Sequence, residues 1–143
     1  MFISHSVHVN ATPKTIWELL IDVENWTAFA PQFKSIARID DGPFGMGSSA
    51  RVTPHGFFGA VWTVSRFEDG RSFLWEADML PGLHMAGDHI VEAEGDGSKV
   101  TLSLESSGPL APAINLALGR IFRRNTRGEA EGLKAYAERE PRT

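Results

Sequence analysis

The order in which helical and strand-like patterns follow one another constrains this chain more than any single motif. One strand-like run comes first, then a short helical segment with Trp17 and Trp26. About six further strand-like runs follow, and after Gly108-Pro109 a single long helix runs nearly to the end. The order is β-α-α-β-β-β-β-β-β-α, an α+β class. A long terminal helix and one continuous antiparallel sheet have to cover each other's apolar faces. A sheet wrapped around that helix meets the requirement and leaves an apolar space between the two layers.

The individual runs carry the argument. Residues 2–9 alternate, with Ile3, His5, Val7 and Val9 on one face. Asn10 or Thr12 can cap the next helix, and Pro13 suits a first-turn position where its missing N–H costs nothing. That helix is expected over Pro13 to Ile21, with a break at Asp22 to Trp26 and a short second helix over Trp26 to Ala30, stopped by Pro31. Strands are expected at Phe33 to Ile39, Ser48 to Pro54, Ala60 to Phe67, Ser72 to Leu80, Leu83 to Glu94 and Lys99 to Ser106. Glu94-Gly95-Asp96-Gly97-Ser98 is the strongest hairpin signal among their connections. Repeated one-faced alternation implies an antiparallel sheet with one wet side. The last helix, Ala111 to Ala137, covers the dry side with Ile114, Leu118, Ile121, Phe122, Leu133 and Tyr136.

Composition removes several function classes. The 143 residues fit one domain, 1–143, with one core. The net charge of −4 provides no general basic field, so no nucleic-acid partner is expected, and the arginines from Arg120 to Arg127 read as a solvated face. No cysteine is present, which excludes disulfides, thiolate metal sites and cysteine nucleophiles. His84 and His89 fall on opposite sides of their strand, so no metal is expected. The start of the chain lacks the basic region of a signal peptide, and the run Leu110 to Phe122 is too short and too polar to span a membrane. A cytoplasmic protein without integral membrane association and without a cofactor is expected. Oligomeric state is not readable.

The inward faces supply Trp62, Phe73, Trp75, Met79, Met85, Val91, Leu102, Ile121 and Phe122. These can wall a ligand cavity, methionine adapting to irregular shapes, or they can fill a core. His5 and His89 are the polar exceptions on dry faces, able to hydrogen-bond a ligand or shuttle a proton, or to sit as satisfied core histidines. Asn125 lies near the helix stripe, where an amide can orient a ligand. Gly128 and Gly132 are spaced to share a helix face, where they can leave room for a ligand or allow close contact with the sheet; close packing or a kink is the simpler reading. The loop Gly42 to Gly47 can place Phe44 and Met46 as lids over a cavity mouth or be a plain hairpin loop, and Phe57 and Phe58 raise the same question.

This order of elements resembles the START-like superfamily, also called SRPBCC, which includes the birch-pollen allergen family and the polyketide cyclase/dehydrase-like proteins. The residues that carry the resemblance are Val9-Asn10-Ala11-Thr12-Pro13-Lys14-Thr15-Ile16-Trp17, the break Asp22-Val23-Glu24-Asn25-Trp26, Gly47-Ser48-Ser49-Ala50-Arg51-Val52, and the closing Glu131-Gly132-Leu133-Lys134-Ala135-Tyr136-Ala137-Glu138. The resemblance implies a helix-grip fold, a curved seven-stranded sheet gripping the last helix over a hydrophobic cavity. A narrower likeness links Asp22 through Ser35 to the coenzyme Q-binding branch, which favours tyrosine where this chain has Trp26 and cysteine where it has Phe33.

The leading expectation is a binder of a hydrophobic or aromatic small molecule, lipid- or polyketide-like, held by Trp62, Trp75, Phe73, Met79, Met85, His89, His5, Ile121, Phe122 and Asn125. The alternative is a cofactor-independent enzyme of the polyketide cyclase/dehydratase type, with His89 as the best acid/base candidate. The scarcity of inward ionisable residues stands against it. A coenzyme Q-binding-like protein, or an interaction module anchored by Phe57 and Phe58, completes the set.

Overall fold

The structure, a computed structural model, describes residues 1–139; the last four residues of the expected domain lie outside them. The elements are β1 (Phe2–Val9), α1 (Pro13–Ile21), a 3-10 helix (Val23–Ala28), β2 (Phe33–Arg38), β3 (Ser49–Pro54), β4 (Ala60–Glu68), β5 (Ser72–Leu80), β6 (Leu83–Glu94), β7 (Gly97–Ser107) and α2 (Ala111–Arg139). The strands form one antiparallel sheet in the order β1-β7-β6-β5-β4-β3-β2. Strands β2 to β7 meander, and β1 crosses over to pair with β7. The curved sheet and the long C-terminal helix make the helix-grip arrangement.

Local chemistry explains the start of the chain. Thr12 caps α1 by accepting from the Thr15 N–H at 3.3 Å, and Pro13 takes the first turn. Ile16, Trp17 and Leu20 bury the inner face of α1. The second helical segment departs from the expected Trp26 to Ala30: it starts at Val23 and is a 3-10 helix. The Asn25 N–H bonds the Asp22 carbonyl at 3.0 Å and the Asn25 side chain donates to the Asp22 carboxylate at 2.5 Å. Those two bonds close a tight turn directly after α1. Trp26 is buried, and its indole N–H donates to the Leu20 carbonyl at 3.1 Å, one of the acceptors that the end of α1 leaves over.

One irregularity matters for the inner surface. Val64 pairs with Trp75 and Arg66 with Leu74, so Ser65 is an extra residue in β4. Strict alternation would turn Arg66 inward after Trp62 and Val64. The bulge sends Arg66 to the outer face, where it meets Asp88 at 2.6 Å, and packs Phe67 inside against Trp17.

The interior divides in two. The larger part is solid: Trp17 of α1, Trp26 of the 3-10 helix, Phe44 of the β2–β3 loop, and Phe73 and Val100 of the sheet cluster with Ala130, Leu133 and Ala137 of α2. Phe44 is buried here against Phe73 and Trp75, with ring centroids 5.1 and 6.3 Å away, so it plugs this core and is not a lid; Met46 is exposed. Arg38 holds that loop by donating to the Gly42 carbonyl at 2.7 Å and pairing with Asp40 at 2.9 Å. A Cβ on Gly132 would run into the Phe29 carbonyl oxygen, so close packing is what this glycine permits, against the end of the 3-10 helix; a Cβ on Gly128 would meet nothing. The smaller part of the interior, around Leu83, Met85 and Ala111, is loosely filled by half-buried Trp62, Met79, Ile114 and Phe122.

Candidate functional site

The cavity lies in this second region, between the sheet and the first two thirds of α2, with a volume of about 270 Å³. That is near the lower end of the roughly 300–1,000 Å³ usual for small-molecule sites. Its walls are mostly aromatic and aliphatic. Phe57 and Phe58, 40% and 55% exposed, line it as well, so the cavity opens at the β3–β4 connection.

Seven of the ten residues singled out from sequence stand in the wall: Trp62, Trp75, Met79, Met85, His89, Phe122 and Asn125. Trp75 lies over Gly87, its partner across β5 and β6; a Cβ there would come within 3.4 Å of the indole. Three of the ten do not reach it. Phe73 is fully buried behind the wall, between His89 and Phe44. Ile121 is one position, about 100°, off the row of α2 that faces the cavity: Ile114, Leu118, Phe122, Thr126 and Glu129. His5 shares its strand face with Val7, but β1 is an edge strand, and there His5 meets Glu131 at 3.3 Å. It lies in a surface groove beside Arg120, Arg123, Arg124 and Arg127.

Sequence reasoning missed the most informative lining residue, Glu129. Its carboxylate oxygen Oε2 is 3.8 Å from Nε2 of His89, and its side chain is 15% exposed. The signal was available: Glu129 follows Phe122 by seven residues and precedes Leu133 by four, which puts a carboxyl on the dry row of the helix. The expected scarcity of inward ionisable residues is therefore corrected. Gln32 and Thr126 were missed too; Gln32 donates to the Asn125 carbonyl at 3.0 Å, tying the segment before β2 to α2.

The electrostatics of the pair follow from burial. His89 stacks on Phe73 and has Trp26 and Trp75 within 6 Å. Its Nδ1 lies 3.2 Å from the Phe73 carbonyl, which can only accept, so Nδ1 carries the proton and Nε2 presents a lone pair to the cavity. Loss of water around the ring lowers its pKa to about 4. The same loss raises the Glu129 carboxyl to about 8. Near neutral pH both groups are uncharged, an acid and a base facing each other. At 3.8 Å they are too far apart for a direct hydrogen bond, and an oxygen about 2.8 Å from each fits between them.

Comparison with known proteins places these features. A family model described as polyketide cyclase / dehydrase and lipid transport matches residues 3–138. A search of curated proteins finds no match. Among solved structures, the Zhui aromatase/cyclase from Streptomyces sp. R1128 superposes with a TM-score of 0.79 at 19% identity, covering 100% of this chain and 96% of its own. Hypothetical protein jhp0584 from Helicobacter pylori gives 0.83 at 17% identity, covering 96% and 88%. Ara h 8.0201 gives 0.75 at 13% identity, covering 96% and 97%. At these identities the likenesses speak for the fold alone.

Proposed function

We propose that this chain, which belongs to the polyketide cyclase/dehydrase and lipid transport family, holds a hydrophobic or aromatic small molecule in the cavity between its sheet and α2. The observation that carries the reading is an apolar cavity with its polar groups gathered at Glu129 and His89. Apolar walls supply affinity in proportion to the area they cover, about 25 cal/mol per Å². The few polar groups orient what enters. Native mass spectrometry of the protein purified from its own host tests this directly. A retained organic mass of cavity size supports it; a chain that arrives bare and leaves a panel of apolar aromatics unbound sinks it.

A second reading rests on the same pair. Ring closure or loss of water in a polyketide-like substrate needs one group to take a proton and another to give one. His89 Nε2 is placed to take it and protonated Glu129 to give it. In a binder, His89→Gln weakens binding by roughly 1 kcal/mol, as for one neutral hydrogen bond. In an enzyme, the same change lowers the rate on the order of 10²-fold or more with the fold intact. The presence of a cavity supports either reading above an interaction module, because Phe57 and Phe58 edge that cavity.

A further inference from the structure

The charges around the cavity are distributed unevenly. Among the described residues, no lysine or arginine lines it. Arg66 and Arg38 are committed to Asp88 and Asp40, and the four arginines between Arg120 and Arg127 are on the exposed flank of α2. Asp88 reaches the lining, but its carboxylate is held by Arg66 and by the backbone N–H of His89. The groups left to meet a ligand's polar end are the Glu129 carboxyl and His89 Nε2, with the side chains of Asn125 and Thr126 on the same helix and the Gln32 amide, which already donates to the Asn125 carbonyl, also in the lining.

We propose that the ligand is an uncharged molecule that brings a carbonyl or hydroxyl oxygen into the gap between Glu129 and His89, and that the cavity rejects carboxylates of the same size. This rests on the reading that the cavity binds an apolar molecule. A carbonyl oxygen accepts from the protonated Glu129 carboxyl. A hydroxyl does the same and donates in turn to Nε2 of His89, the imidazole proton being on Nδ1 and engaged by the Phe73 carbonyl. A carboxylate finds no cation there. It faces a lone pair and a second carboxyl in surroundings stripped of water, where an uncompensated charge is costly. Aromatic ketones and phenols fit this description; long-chain and aromatic acids do not.

Three near-isosteric probes separate the possibilities by isothermal titration: 2-acetylnaphthalene, 2-naphthol and 2-naphthoate. At pH 7 the ketone and the phenol should bind about tenfold or more tightly than the acid. The difference should shrink as the acid is titrated to its neutral form near pH 4. Ketone affinity should fall between pH 7 and 9 as Glu129 ionises, and Glu129→Gln, which keeps a donor, should abolish that fall. The polar groups that line the cavity with Glu129 include His89 and Asp88 from β6, Gln32 from the segment before β2, and Asn125 and Thr126 from α2 itself. Asp88 is paired with Arg66, and His89 titrates at about 4, well outside the window. Naphthoate binding as tightly as the ketone at pH 7 overturns the proposal and leaves the binder reading standing. Failure of all three to bind takes both down. The comparison of probes uses the unmodified protein, so it does not depend on a variant that folds.

Discussion

Phe73 and His89 face each other in the β5–β6 register with their rings stacked, centroids 4.2 Å apart and planes 10° from parallel. The stack and the bond from Nδ1 to the Phe73 carbonyl fix both the plane and the tautomer of the imidazole. Nitrogen NMR should find the proton on Nδ1 throughout the neutral range, with no protonation of Nε2 until the pH approaches about 4. An imidazole that titrates near 6.5 would mean that water reaches the ring freely.

Stability should depend on pH through this pair. The folded-state value of His89, about 4, lies below its ordinary 6.5, so its contribution is complete above 6.5 and is lost as the pH falls through 4. Glu129 is the reverse: its folded value of about 8 lies above the ordinary 4.5, so its contribution is complete below 4.5 and is lost as the pH rises through 8. Between 4.5 and 6.5 the two oppose each other. Above 6.5 only the loss from Glu129 remains. Urea midpoints should therefore fall between pH 6.5 and 8 in the native chain and fall less in Glu129→Gln. His84, raised by Asp78 and Glu76 on the outer face, acts with the same sign. The informative quantity is thus the difference between the two proteins, and equal slopes would contradict the assignment.

The glycines of α2 should separate cleanly. Gly132→Ala drives a methyl into the Phe29 carbonyl and should cost about 1–3 kcal/mol by overpacking. Gly128→Ala meets open space and should gain up to about 1 kcal/mol from helix propensity. Thermal or urea unfolding of the two variants reads both signs.

Trp26→Phe removes the donor to the Leu20 carbonyl inside the core. An acceptor left bare there should cost about 1–3 kcal/mol in urea unfolding. The cavity-facing pair behaves differently: Trp62 and Trp75, 5.8 Å apart, should report ligand by quenching. Trp26 also lines the cavity, so an apolar aromatic ligand that binds saturably without changing the emission of Trp26, Trp62 or Trp75 would move the site elsewhere.

The fold was legible because its signals are local and repeated. Each alternating strand announced its dry face, and Pro13 and Pro31 bracketed the helical start. What escaped were features decided by specific pairwise contacts that alternation does not encode. The bulge at Ser65 answers to Trp75 and Leu74 on the next strand, and the 3-10 turn to a side-chain bond between Asp22 and Asn25. Phe44 looks like any loop aromatic until Arg38 pins its loop. His5 and His89 are equivalent by alternation, and only the sheet order, with β1 at an edge, separates them. Glu129 was hidden by its charge: a carboxyl on an amphipathic helix is ordinarily assigned to water, although its spacing from Phe122 and Leu133 argued otherwise.

The long helix is fastened at both ends. Beyond the cavity, Ala130, Leu133 and Ala137 sink into the solid core and Gly132 abuts Phe29. At its start, the Leu110 N–H bonds the Gly82 carbonyl at 2.9 Å, and Ser106 donates to Asn115 at 2.7 Å. Mechanically, α2 is a beam on two supports that spans a void. Lifting it to admit a guest means breaking one of those supports. The connection at His55-Gly56-Phe57-Phe58 is held more lightly, with the His55 N–H on the Gln32 carbonyl at 2.9 Å and two exposed phenylalanine side chains edging the cavity, so α2 is a ceiling over an opening at its side.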